Sequence, residues 1–245
     1  MDNRLSEKKF DEKLLINAPI CFMDILGFSD EIVQIRENNL KKAKEIGKLL
    51  YELKYHPNIQ EYQKFGVEIL AFSDSIIISH RMVIDQQACE PEQALMNVIL
   101  AAKTFQQLLV IGRGSWLSRG YIAEGLIYHK DDIIFGPAYI TAFKQESKHH
   151  EPKIIVEKSI AKRYIPIQET IEQAPKLIRV DNGPYFIDYL EGLEQYKKIN
   201  PIQCLKRLID MSLDRTKKFS DKTGVSEKYQ WFTQYARSHR DRLGI

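Results

Sequence analysis

Residues 19–30 read Pro19-Ile20-Cys21-Phe22-Met23-Asp24-Ile25-Leu26-Gly27-Phe28-Ser29-Asp30. Pro19–Met23 is a short continuous apolar run with proline at its start, the pattern of a buried strand. An acid, a glycine-containing loop and then Ser29 or Asp30 follow, and either of the last two can serve as the N-cap of a helix. Leu40, Ala43, Ile46, Leu50 and Leu53 recur at three- and four-residue steps. This predicts a helix with one apolar face running to about Lys54, stopped by His56-Pro57-Asn58.

Working outward, Gly66–Phe72 and Ser75–Ser79 read as two strands separated only by Ser73 and Asp74. The pair is a tight hairpin whose turn lacks the usual Asn-Gly or Gly-Gly chemistry, which suggests that the turn serves something else. Glu90-Pro91-Glu92 opens the next helix, with Leu95, Val98, Ala102, Phe105 and Leu109 as its apolar stripe, and Gly112 and Gly114 close it. Arg119–Tyr128 is a fourth strand. A polar turn at Lys130-Asp131-Asp132, a short helix from Pro137 to about Ser147 and a strand at Lys153–Val156 come next. A hairpin over Leu177–Tyr189 turns at Asp181-Asn182-Gly183, and two helices follow from Pro201, separated near Thr223-Gly224. The order strand, helix, strand, strand, helix, strand is the split βαβ arrangement. The expected fold is therefore α+β: a ferredoxin-like βαββαβ core with additional strands and C-terminal helices. In it both helices cover one face of an antiparallel sheet and the other face stays free for a partner or substrate. Residues 1–200 form the catalytic domain and 201–245 a helical extension packed on it.

Composition narrows the function. The 245 residues are 44% hydrophobic and 28% charged, with a net charge of +3. This is an ordinary globular balance. Basic residues such as Lys206, Arg215, Lys217 and Lys218 alternate with Asp210 and Asp214 as on a solvated helix face, so no nucleic-acid partner is expected. Cys21, Cys89 and Cys204 lack metal or redox spacing and read as reduced thiols, which points to a cytoplasmic protein. The opening MDNRLSEKKFDEKLL has no apolar signal-like core. No apolar run approaches the roughly 20 residues that span a bilayer, so no membrane partner is expected.

In the expected topology the first strand is central and pairs with the hairpin. Asp24 and Asp74, fifty residues apart, then meet in space. Neither has a basic partner in its own loop. Two adjacent carboxylates call for cations, and hard divalent ions suit them; Mg²⁺ usually takes one or two protein carboxylates plus substrate phosphates. The alternative is that both carboxylates hydrogen-bond loop amides. The backbone N–H groups of the Ile25–Ser29 loop suit a triphosphate, and Gly27 permits close approach. A metal pair beside a phosphate cradle implies phosphoryl or nucleotidyl transfer. Arg119 either reaches a phosphate or makes a structural ion pair. Lys144 and Glu146 either act on substrate or end a solvated helix. His149-His150 reads as an exposed charged turn.

These motifs resemble class III nucleotidyl cyclases. Phe22–Ser29 is similar to their first metal motif and Phe72-Ser73-Asp74-Ser75 to their second. Arg119-Gly120-Tyr121-Ile122-Ala123-Glu124-Gly125, Phe135–Glu146 and Glu151–Val156 follow their later elements, so the resemblance spans roughly Pro19 to Tyr189. The base-reading positions of purine cyclases fall on Leu70 and Pro137, and their transition-state Asn and Arg on Ile140 and Lys144. With these departures the pattern resembles the pyrimidine nucleotide cyclases of bacterial Pycsar antiphage defence. Glu227-Lys228-Tyr229-Gln230-Trp231-Phe232 is also similar to their tail.

The resemblance implies a homodimer with interfacial sites that converts UTP or CTP to cyclic UMP or cyclic CMP, a messenger for a separate effector. It implies two Mg²⁺ or Mn²⁺ ions held by Asp24, Ile25 and Asp74. Asp24, Asp74, Arg119 and Lys144 are then the catalytic set, and Ile25, Gly27, Phe28 and Ser29 bind the nucleotide phosphates. The alternatives are an adenylate or guanylate cyclase, a palm-type polymerase or nuclease, and a cyclase-fold binding module without catalysis.

Overall fold

The apolar run around Cys21 extends further than its composition suggests. Strand β1 spans Leu15–Ile25, because it finds hydrogen-bonding partners along both edges. A computed structural model describes residues 12–35, 40–84, 87–112, 115–179, 183–193 and 200–242. After β1 come α1 (Phe28–Ile32), α2 (Lys41–Tyr55), α3 (Pro57–Lys64), β2 (Val67–Phe72) and β3 (Ser75–His80). A small hairpin of β4 (Val83–Ile84) and β5 (Gln87–Ala88) precedes α4 (Pro91–Ile111) and β6 (Ser118–Lys130). Next are β7 (Ile133–Phe135), α5 (Pro137–Glu146), β8 (Ile154–Val156) and α6 (Lys158–Thr170). The chain ends with β9 (Leu177–Arg179), β10 (Tyr185–Ile187), α7 (Pro201–Lys218) and α8 (Thr223–Arg242).

The main sheet runs β2-β3-β1-β6-β8-β10-β9, with β7 paired to β6. Its first four strands are mutually antiparallel and carry the strand order of a ferredoxin-like unit, with β1 central. The fold is α+β, as expected. Strand β8 then joins β6 in parallel, which the crossover through α5 permits.

Period-two alternation splits β1 between two cores. Cys21, Met23 and Ile25 face a large cluster containing α2, α3, α4, α6, α7 and α8. Helix α4 lies deepest: Leu95, Val98, Ala102, Phe105 and Leu109 are all buried, and each large apolar side chain contributes roughly 1.5–3 kcal/mol on burial. Among the described residues α4 is also the one helix long and apolar enough to cross a bilayer, which the sequence reading passed over; here it is mostly buried inside the fold.

Several expectations need correction. Ala18, Ile20 and Phe22 on the second face do not stand free: α5 covers them with Ala138 and Ala142. These small residues let the helix approach closely, and Phe22 meets Tyr139 and Phe143 edge-on at 6.2 and 5.2 Å. Neither Ser29 nor Asp30 caps α1; Gly27 holds the cap position at φ 77° with no side-chain cap bond. His56-Pro57 ends α2 but also begins α3, because Pro57 fits a first helical turn and His56 Nδ1 accepts from the Asn58 N–H at 3.3 Å. Helix α6 was not anticipated, since it carries Pro166 in its interior. Residues 1–11, Gly114 and the turn residues Asp181 and Asn182 lie outside the described residues.

Candidate active site

Asp24 is the last-but-one residue of β1 and shares the α5-side face with Phe22. It sits between Ser75 of β3 and Arg119 of β6, directly opposite both in register. The β2–β3 turn closes with Ser73 at φ 57°, a positive first turn angle that matches the strand twist of tight hairpins. The Ile25 N–H donates to the Asp74 carbonyl at 2.9 Å, which ties the hairpin tip to the end of β1. The Ser29 hydroxyl, freed from capping, donates to Asp74 Oδ2 at 3.5 Å. Asp24 and Asp74 therefore meet as the topology requires. Burial is the first cause that pushes the Asp24 carboxyl up to about 6; the charges of Asp74 and Glu146 add to it, and Arg119 and Lys228 oppose it.

Arg119 is engaged by protein. Its Nε pairs with Glu146 Oε1. Its Nη1 donates to the His149 carbonyl at 3.1 Å, and Nη2 lies 3.9 Å from Asp24 Oδ2. The ion pair, one of the two readings offered by sequence, is present with Glu146. Glu146 reaches it because Ala138, Ala142 and Glu146 occupy one stripe of α5 at four-residue steps, and all three are buried. Burial raises the Glu146 carboxyl and Arg119 draws it back down. That stripe was readable: a glutamate in register with two alanines marks a carboxylate facing the sheet.

Lys144, two residues earlier, is exposed and is not among the charges acting on Asp24. Phe28 is core, packed at 5.9 Å against Trp116, so only its backbone is available to a ligand. Gly27 has open space where a Cβ would stand, and its need for glycine comes from its left-handed φ. The Leu26 N–H is spent on the Leu117 carbonyl at 2.8 Å. Leu70 is half-buried against the second-face core, and Pro137 begins α5.

The residue sequence reasoning missed is Lys228 of α8. It is half-buried and acts electrostatically on Asp24, Asp30, Glu146 and Arg119. The only signal was its place in the tail motif.

Among the described residues no group of three or more His, Cys, Asp or Glu side chains forms a metal cage. The donor set is the Asp24–Asp74 pair, with Glu146 committed to Arg119. Such a pair fits Mg²⁺ or Mn²⁺ in the manner of sites completed by substrate phosphates. Counting Asp24 itself, the three carboxylates Asp24, Asp74 and Glu146 face the two cations Arg119 and Lys228, an excess of one negative charge that favours a cation.

No protein-family model matches the chain, and no curated protein does. Solved structures with similar folds include the adenylyl cyclase CyaB from P. aeruginosa, at 14% identity over 70% of this chain and 91% of that one, TM-score 0.48. Another is the dimeric guanylyl cyclase domain of the RhoGC fusion protein from the aquatic fungus Blastocladiella emersonii, at 15% identity over 71% and 94%, TM-score 0.48. A third is the guanylate cyclase domain of RhGC from Catenaria anguillulae in complex with GTP, at 15% identity over 70% and 95%, TM-score 0.45.

Proposed function

We propose that this chain is a nucleotidyl cyclase acting on a pyrimidine nucleotide, converting UTP or CTP to the 3′,5′-cyclic monophosphate and pyrophosphate. The observation that carries the reading is the meeting of Asp24 and Asp74, joined by the Ile25-to-Asp74 backbone hydrogen bond at 2.9 Å. Two Mg²⁺ or Mn²⁺ ions bound by Asp24, Asp74 and the Ile25 carbonyl would supply the positive charge that phosphoryl transfer needs.

The chain's own groups do the positioning. Arg119 fixes the Asp24 carboxylate, Ser29 steadies Asp74, and the backbone amides from Gly27 to Ser29 face the β- and γ-phosphates. The ribose 3′-oxygen attacks the α-phosphorus in line, the bond to the bridging α–β oxygen breaks, pyrophosphate leaves, and the hydroxyl proton passes to water. Pyrimidine preference is supported by Leu70 and Pro137, neither of which offers a side-chain hydrogen bond where purine-specific relatives of the resembled family read the base.

The reading includes a homodimer built on the α5 side. Phe72, Ile140 and Phe143 are 78%, 45% and 48% exposed there, apolar surface of the kind a second copy would cover. The cyclic product would act as a messenger for a separate effector in antiphage defence, and the protein would work in the cytoplasm. Asp74→Asn, assayed by mass spectrometry of the products, is expected to abolish cyclic nucleotide formation. Unchanged turnover and metal dependence would overturn the site.

A further inference from the structure

On the α5-side face the strands present apolar residues: Ile20 and Phe22 from β1, Ile77 from β3, Ala123 and Ile127 from β6. Period-two alternation puts the next residue of that face at Ser79 in β3 and at His129 in β6. Both are polar, and both are buried, at 2% and 8% exposure. They meet: Ser79 Oγ and His129 Nδ1 are 2.7 Å apart. Burial lowers the His129 pKa to about 4, so its imidazole is neutral near neutral pH. One nitrogen of a neutral imidazole then donates and the other accepts. Nδ1 is taken by Ser79. Nε2 is buried and, among the described residues, has no hydrogen-bond partner.

The pair lines a cavity of about 250 Å³ whose walls include Ile16, Met82, Val83 and Ile127. Roughly 150 Å³ is enough for a benzene ring. His80 borders the cavity with its Nε2 on Asn97 of α4 at 3.1 Å. Two cations also border it: Lys13 is exposed, and Arg81 is exposed and pairs with Glu68 at 3.0 Å. Both charges are solvated, so the polar groups buried at the cavity are uncharged. The cavity shares no residue with the Asp24–Asp74 site. Ser79 stands opposite Ile20 where Ser75 stands opposite Asp24, roughly 13 Å further along β3.

We propose that this cavity is a binding site for a small, uncharged, mainly apolar molecule that carries one hydroxyl, held by the Ser79–His129 pair. Its apolar body would fill the aliphatic walls. A hydroxyl both donates and accepts, so it satisfies Nε2 in either tautomer of the imidazole. A buried polar atom without a partner is costly, and a bound hydroxyl relieves that cost. A carboxylate or phosphate is disfavoured, because it would bring a charge among neutral buried groups. The inference does not depend on the nucleotide reading.

The test is a ligand-observed NMR titration of the full chain with three probes of one shape: para-cresol, toluene and para-toluate. Para-cresol is expected to bind the wild type with a Kd of about 1 mM or below. It should bind about fivefold or more tighter than toluene, as for one neutral hydrogen bond, and tighter than para-toluate. In His129→Phe, which keeps a ring of similar size, the preference for cresol over toluene should fall within about twofold. Ser79→Ala frees Nδ1 and decides the matter should His129→Phe not fold; there too the preference should fall. No binding of para-cresol to the wild type up to about 10 mM would overturn the site. So would tighter binding of para-toluate, or an unchanged cresol preference in the deciding variant.

Discussion

Asp24 and Arg119 stand opposite each other across the β1–β6 ladder, with Arg119 Nη2 3.9 Å from Asp24 Oδ2. The same guanidinium closes on the buried Glu146. One arginine therefore couples the end of the central strand to the end of α5. Removing it leaves Glu146 charged, buried and unpaired, the costly way to break an ion pair. Arg119→Ala should lower unfolding free energy by about 3 kcal/mol, read from urea midpoints. A loss below about 1 kcal/mol would mean that the pair is solvated and weak.

The second prediction concerns pH. The Asp24 carboxyl is pushed up to about 6, first by burial and then by Asp74 and Glu146. A raised carboxyl penalises the folded state once it is ionised. The penalty is fully present above about pH 6 and is relieved as pH falls through that value towards the ordinary aspartate value of 3.8. In chelator-treated protein, Asp24→Asn should therefore melt above the wild type at pH 7.5, with the gap narrowing by about pH 5. A gap that widened on acidification would show that the ionised form is favoured in the fold.

Gly27 gives a third. An alanine there meets no atom within 4 Å but must adopt φ 77°, which costs a residue with a Cβ roughly 1–2 kcal/mol. Gly27→Ala should fold with a modest drop in melting temperature and lose more in nucleotide turnover than in stability. Turnover at the wild-type level would remove this loop from the site.

Much of this was legible in sequence. Fifty residues separate Asp24 from Asp74, but the strand–helix–strand–strand order fixes which strand ends are neighbours, so their meeting followed from topology. The hairpin turn at Ser73-Asp74 and the apolar stripe of α4 were equally plain. What local pattern could not show was long-range contact. Glu146 becomes a partner of Arg119 only because α5 folds back over Phe22, a face expected to be open. Lys228 is carried by α8, which Phe232 and Ala236 pack into the core and Tyr235 and Arg242 tie to Asp188. The stop read at His56-Pro57 is real, since α2 ends at Tyr55, but the same proline also opens α3, and α6, with Pro166 inside it, was not revealed by periodicity.

The seat of α8 gives a fourth prediction. Tyr235→Phe deletes the 2.6 Å donor to Asp188 and leaves a buried carboxylate oxygen short of a partner, at a cost of about 1–3 kcal/mol. Amide exchange should quicken in α8 before it quickens in β1 or α4. Exchange unchanged in α8 would mean that the helix is held by its apolar contacts alone.

The central claim is tested most directly by incubating the purified chain with ATP, GTP, CTP and UTP in Mg²⁺ and Mn²⁺, with Asp24→Ala in parallel, and resolving the products by mass. A cyclic pyrimidine monophosphate from the wild type, absent from the variant, is the expected result. A cyclic purine product would contradict the base preference argued from Leu70 and Pro137. No cyclic product from either protein would contradict the catalytic reading of Asp24 and Asp74.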